Sequence, residues 1–88
     1  MQFEWDDNKA KTNLLKHNVE FEFAKQLFDN PRTVIKTTQS ANDEERFTII
    51  GYIDLKAYIV VFTHVNDNKC RLISARRATK IERKRHLA

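Results

Sequence analysis

The chain has one cysteine, one proline and one glycine among its 88 residues. A lone cysteine, Cys70, excludes an internal disulfide and a cysteine-rich zinc site; set among Arg71, Leu72 and Ile73, it reads as buried filler. A lone glycine, Gly51, leaves no glycine-rich loop to cradle a nucleotide. His17, His64 and His86 have no metal-ligand spacing, H-E-x-x-H does not occur, and no Ser/His/Asp arrangement is visible. No metal and no cofactor are therefore expected. No apolar run reaches the roughly 20 residues that a membrane-spanning helix needs. The opening Phe3-Glu4-Trp5-Asp6 lacks the basic-then-apolar order of a signal peptide, so a cytoplasmic protein is expected. With so little Gly and Pro, and 41% hydrophobic residues, disorder along the whole chain is also excluded.

What is present is a short, polarised chain. Eighty-eight residues make a single domain, 1–88, with a compact core. Net charge is +4. Residues 69–88 carry eight Lys/Arg against one acid, Glu82, whereas residues 1–68 carry eight against eleven acids. A basic end of this kind attracts polyanions, because phosphate binding releases condensed counterions. The bland alternative is a solvated basic helix that binds nothing.

The pattern begins with a short edge strand over 3–6. Asp6, Asp7 and Asn8 offer N-cap oxygens to a helix from Asn8 to His17, with Lys16 and His17 favourably placed at its negative end. Asn18 and Val19 break the chain. A second helix is expected from Glu20 to Asp29, with Phe21, Ala24, Leu27 and Phe28 on one face. Pro31 stops it and holds Asn30 extended. Strands are expected at 32–39, 46–54, 57–65 and 69–75, with a polar loop at 40–45 and a turn at Asn66-Asp67-Asn68. Strict alternation would place Cys70, Leu72 and Ser74 on one face of the last strand and Arg71, Ile73 and Ala75 on the other. The run Ile59–Phe62 is apolar on both faces and reads as central. Thr79 and Glu82 have the spacing of a capping box ahead of a basic helix, Lys80 to Leu87.

At the level of motifs the sequence resembles the BrnT toxin family. "FEWDDNKAKTNLLKHNVEFEFA" is similar to the family's opening, and "FDNP", "EERFTIIG", "VVFTH" and "RLISARRATKIERKRH" follow in the family's order, covering residues 3–86. The resemblance implies an α+β, RelE-like fold, with N-terminal helices on a twisted antiparallel sheet and a short C-terminal helix. It implies an endoribonuclease that slows translation. It also implies a BrnA-type antitoxin that binds the toxin in a hetero-oligomer repressing its own operon. Two positions depart from the family pattern. Asn18 stands where a Gly is usual, and Asn also accepts the left-handed conformation. His86 stands where a Tyr is usual, which transfers any role of that side chain to an imidazole.

Cutting RNA without a metal needs the 2′-hydroxyl held in line with phosphorus, a base and an acid, and cations for the charge that builds on the phosphoryl oxygens. Arginine suits the last task because its planar fork grips two oxygens. Arg76 is the first candidate and Arg46 the second. His17, at a helix C-terminus, and His86, on the last helix, are candidate proton carriers, each with a structural alternative. His64, in a strand beside Thr63 and Val65, reads as structural or surface. Glu82 has a capping role or that of a base. Arg71, Arg77, Lys80, Arg83 and Lys84 are the candidate nucleic-acid contacts. Two further readings stay open: a basic module or corepressor that binds nucleic acid without cutting it, and a structural partner of an acidic protein.

Overall fold

A computed structural model describes residues 1–30, 32–39 and 45–87, with the backbone alone at 33 and 35–39. The elements, in order, are β1 (Gln2–Glu4), α1 (Asp7–His17), α2 (Phe21–Ala24) running into a 3₁₀ helix (Lys25–Asp29), β2 (Arg32–Gln39), β3 (Glu45–Ile53), β4 (Lys56–Asn66), β5 (Lys69–Arg77) and α3 (Lys80–Leu87).

Local chemistry sets the helix ends. Asp6 caps α1: its Oδ1 accepts from the N–H groups of Asn8 at 2.8 Å and Lys9 at 3.1 Å. Asn18 ends the helix at φ 56° and ψ 35°, its N–H donating to Leu14 O, so the asparagine does take the left-handed conformation. The second helix is not a single α-helix to Asp29. After Ala24 it tightens into 3₁₀ geometry, which ends at Asn30, held extended at φ −103° and ψ 159° as a residue before proline must be. The polar stretch 40–44, expected as a loop, lies outside the described residues; Glu45 already belongs to β3.

The sheet has five strands in the order β1-β5-β4-β3-β2. It is mixed and not purely antiparallel, because β1 runs parallel to β5, with Phe3 opposite Cys70. Parallel neighbours cannot be joined by a hairpin, and here the connection from β1 to β5 runs through the helices and three strands that lie between them in sequence. The turn between β3 and β4 places Asp54 at φ 51°, where Asp is tolerated better than bulkier residues. Both β4 and β5 are longer than their apolar runs. Arg76 and Arg77, expected beyond the last strand, lie within it.

One irregularity decides which side chains face where. Val61 pairs with Ser74, but Phe62 pairs with Leu72, so Ile73 is an extra residue on β5. Alternation fails there. Cys70, Leu72 and Ala75 all point into the main core, and Ser74 turns to the opposite face. That core gathers Ile49, Ile53, Tyr58, Val60 and Phe62 from the sheet beneath Val19, Phe21, Ala24 and Leu27. The anticipated face of the second helix is the buried one: Phe21, Ala24 and Leu27 are buried and Phe28 is partly so. Phe28 packs edge-on against Phe62, ring centres 4.9 Å apart, a favourable aromatic geometry.

A second, smaller core lies on the other face. Ile50 and Ile59 are opposite one another and both are buried, and α3 lies over β2 and β3 on this side. The central strand is thus enclosed on both faces, as its sequence requires.

Candidate active site and nucleic-acid interface

Register places the two leading arginines on one face. Ile59 is opposite Ile50 on one side and Arg76 on the other. Arg46 lies four residues before Ile50 on β3 and shares its side. Thr63 is buried on this same face and ties the strand ends together, its hydroxyl donating to Glu45 O at 2.6 Å. From strand spacing and rise, the Arg46 and Arg76 backbones stand on the order of 16 Å apart. They share a face and occupy opposite ends of it.

Arg76 is fixed by α3. Its Nη1 and Nη2 each donate at 2.8 Å to the two oxygens of Glu82, and Nη1 also donates to Arg77 O at 3.2 Å. Glu82 in turn completes the capping box: its Oε1 accepts from Thr79 N at 2.8 Å, and its own N–H donates to Thr79 Oγ1 at 3.1 Å. The sequence spacing Thr79/Glu82 therefore sets the helix start, and the same carboxylate orients the guanidinium. The Arg76 hydrogen bonds, with Thr79 in support, draw the Glu82 pKa down to about 2, and Glu82 holds Arg76 above its usual value. The fork is end-on. It leaves the side edge of the guanidinium, Nε–H and the second Nη2 hydrogen, unused among the described residues, and this edge is a second two-pronged donor.

The other candidates are distributed around this pair. His86 follows Glu82 by four residues, on the same face of α3, and is half-buried. Lys80, Arg83 and Lys84 are exposed, as is Arg77, whose guanidinium lies 5.6 Å from the Tyr58 ring centre. Arg71 is bound to Glu4 at 2.8 Å; that bond, with Lys69 at 3.6 Å adding its charge, lowers the Glu4 pKa. His64 stacks edge-on to Phe47 and Phe62. Burial raises the Cys70 pKa, which suits a packing role. Among the described residues no three His, Cys, Asp or Glu side chains come together as metal ligands, and no helix is long and apolar enough to cross a membrane.

His17 comes from the other end of the chain, at the close of α1. It lines an open groove between α1 and β5 together with Lys9, Thr12, Asn13, Lys16 and Ser74. Asn13 makes this groove. Its Nδ2 donates to Ala75 O at 2.8 Å and to Val19 O at 2.9 Å, and its Oδ1 accepts from Ala75 N at 3.0 Å. β1 pairs with β5 only as far as Arg71; beyond it, the Asn13 amide does for Ala75 what a strand residue would. Sequence reasoning missed this residue. Its only trace is a polar stripe, Lys9-Thr12-Asn13-Lys16, at helical spacing, which reads as a solvated face. Ser74 was missed for a different reason, since the bulge that re-aims it has no sequence mark.

The profile of a family described as "Ribonuclease toxin, BrnT, of type II toxin-antitoxin system" matches residues 5–82. The chain belongs to this family. The matched span includes His17, Arg46, Arg76 and Glu82 and ends before His86. Among solved structures, the chain is similar to the Brucella abortus ribonuclease toxin, BrnT, at 28% identity and a TM-score of 0.72, over 91% of this chain and 99% of that one. A sequence search of curated proteins finds no match. The BrnT family is one of toxins paired with antitoxins, so a partner antitoxin belongs to the system.

Proposed function

We propose that this BrnT-family toxin is an endoribonuclease that acts without a metal ion in the cytoplasm, slows translation by cutting RNA, and is neutralised by a BrnA-type antitoxin in a complex that represses its own operon. The RelE-like description of the fold belongs to the same reading. The observation that carries the chemistry is the Arg76–Glu82 fork. It holds a guanidinium rigid while leaving its side edge open to two phosphoryl oxygens.

On this reading the 2′-oxygen attacks phosphorus, the O2′–P bond forms and the P–O5′ bond breaks. One group takes the 2′ proton and another returns a proton to O5′, giving a 2′,3′-cyclic phosphate and a 5′-hydroxyl. Arg76 stabilises the charge on the phosphoryl oxygens, and Arg46, at the far end of the same face, holds an adjoining part of the RNA. Glu82 is a poor base at neutral pH, because its pKa is drawn down to about 2 and Arg76 engages both its oxygens. It acts as a positioning residue. The proton carriers are then the imidazoles, His17 reached by way of Ser74 and His86 by way of Glu82 on α3. The exposed Arg77, Lys80, Arg83 and Lys84 add sequence-independent attraction for the backbone; Arg71 contributes less, being held by Glu4.

The test is purified chain with RNA in EDTA. Cleavage that persists with the chelator and disappears in Arg76→Ala is the expected result. Binding without cleavage would leave a corepressor and overturn the enzymatic reading. Growth arrest on expression, relieved by a co-expressed BrnA-type neighbour, tests the partner.

A further inference from the structure

We infer that the groove between α1 and β5 is a track for the phosphate backbone of single-stranded RNA, leading the chain to Arg76; this rests on the ribonuclease reading above. β1 runs beside β5 in the same direction, and α1 continues along that edge until Asn13 meets Ala75. Lys9, Thr12, Asn13 and Lys16 lie on one face of α1 and line the groove. Lys9 and Lys16 are about 10 Å apart along the axis, a separation that lets them hold different phosphates of one strand.

The groove is built for an anion that the chain itself does not supply. No Asp or Glu lines it. Among the described residues neither Lys9 nor Lys16 is in an ion pair, whereas Lys25, Lys69, Arg71 and Arg76 all are. Asn13 is buried and all its amide bonds are spent on backbone, so the α1 face is pinned against the strand and the lysines are presented from a fixed wall. Thr12 donates its hydroxyl to Asn8 O. Lys9, Lys16 and Ser74 are thus the groove's phosphate donors, and His17 stands beside them as a proton carrier. The β5 bulge gives the groove its exit: it turns Ser74 to the face of Arg76, two residues on and about 7 Å away. A strand held by Lys9 and Lys16 runs over Ser74 to the open edge of the Arg76 guanidinium.

The experiment measures binding of a fluorescent 2′-O-methyl oligoribonucleotide, which cannot be cut, by anisotropy across salt concentrations. The double variant Lys9→Gln/Lys16→Gln is compared with Lys11→Gln/Lys56→Gln, which removes equal charge from exposed positions outside the groove. The expected result is a loss of roughly tenfold or more at low salt for the groove pair, and a plot of log affinity against log salt shallower by about 1.4, the change for two phosphates on a single strand. The control pair stays near the parent. Equal losses in the two pairs overturn the track. So does a groove pair that loses affinity for a polyglutamate peptide while binding the RNA unchanged, which would assign the groove to an acidic protein. Parent chain that cleaves RNA while the two pairs bind alike removes the track alone; parent chain that neither binds nor cleaves removes the ribonuclease reading as well.

Discussion

Arg76 and Glu82 meet fork to fork, both bonds 2.8 Å long, and the geometry depends on a planar guanidinium. Lysine would keep the charge and lose the two-pronged grip on both the carboxylate and a phosphate. Arg76→Lys is expected to retain RNA affinity within a few fold and to lose kcat by about 10²–10³, the range for removing a preorganised transition-state donor. Single-turnover cleavage beside an anisotropy titration separates the two effects. Equal loss in binding and turnover would mean that Arg76 serves only as a charge.

The same pair gives a pH signature. The folded pKa of Glu82 is about 2, below its ordinary 4.5, so its stabilising contribution is present above about pH 4.5 and is lost as pH falls toward 2. Arg76 is 38% exposed, and solvent screening limits the contribution to about 1 kcal/mol. Urea midpoints of the parent and Glu82→Gln should differ at pH 7 and converge as the solution is acidified through that window. A constant gap down to pH 2 would show that the difference comes from something other than this charge.

Asn13 replaces a strand partner for Ala75 and also closes the bend at Val19. Asn13→Ala leaves three backbone groups without their partner, at a cost of about 3 kcal/mol. Chemical denaturation measures it. A change under 1 kcal/mol would mean that water takes over these bonds and that the α1 edge is not held by the amide.

Leu27 is fully buried in the 3₁₀ segment over the sheet. Leu27→Ala is expected to destabilise the fold by about 2–5 kcal/mol, read from the same denaturation curves. A smaller loss would require the segment to collapse onto the void.

Much of this architecture was legible in the chain. Apolar periodicity located the elements that carry the core, and the N-cap Asp6, the left-handed Asn18 and the Thr79/Glu82 box all act through neighbours within a few residues. The candidate site was legible as residue types: arginines, imidazoles and a basic tail that suit phosphate.

What the sequence determined by itself was therefore local: where the helices start and stop, which runs are strands, which family the motifs resemble, and the positive charge of the last twenty or so residues. The tertiary structure alone decided the rest. The parallel pairing of β1 with β5, the bulge at Ile73, the clasp of Asn13 on Ala75 and the fork of Arg76 on Glu82 each depend on how distant or offset segments meet. Hydrogen-bond satisfaction and strand register set those meetings, and both are properties of the packed sheet that no short window of residues encodes.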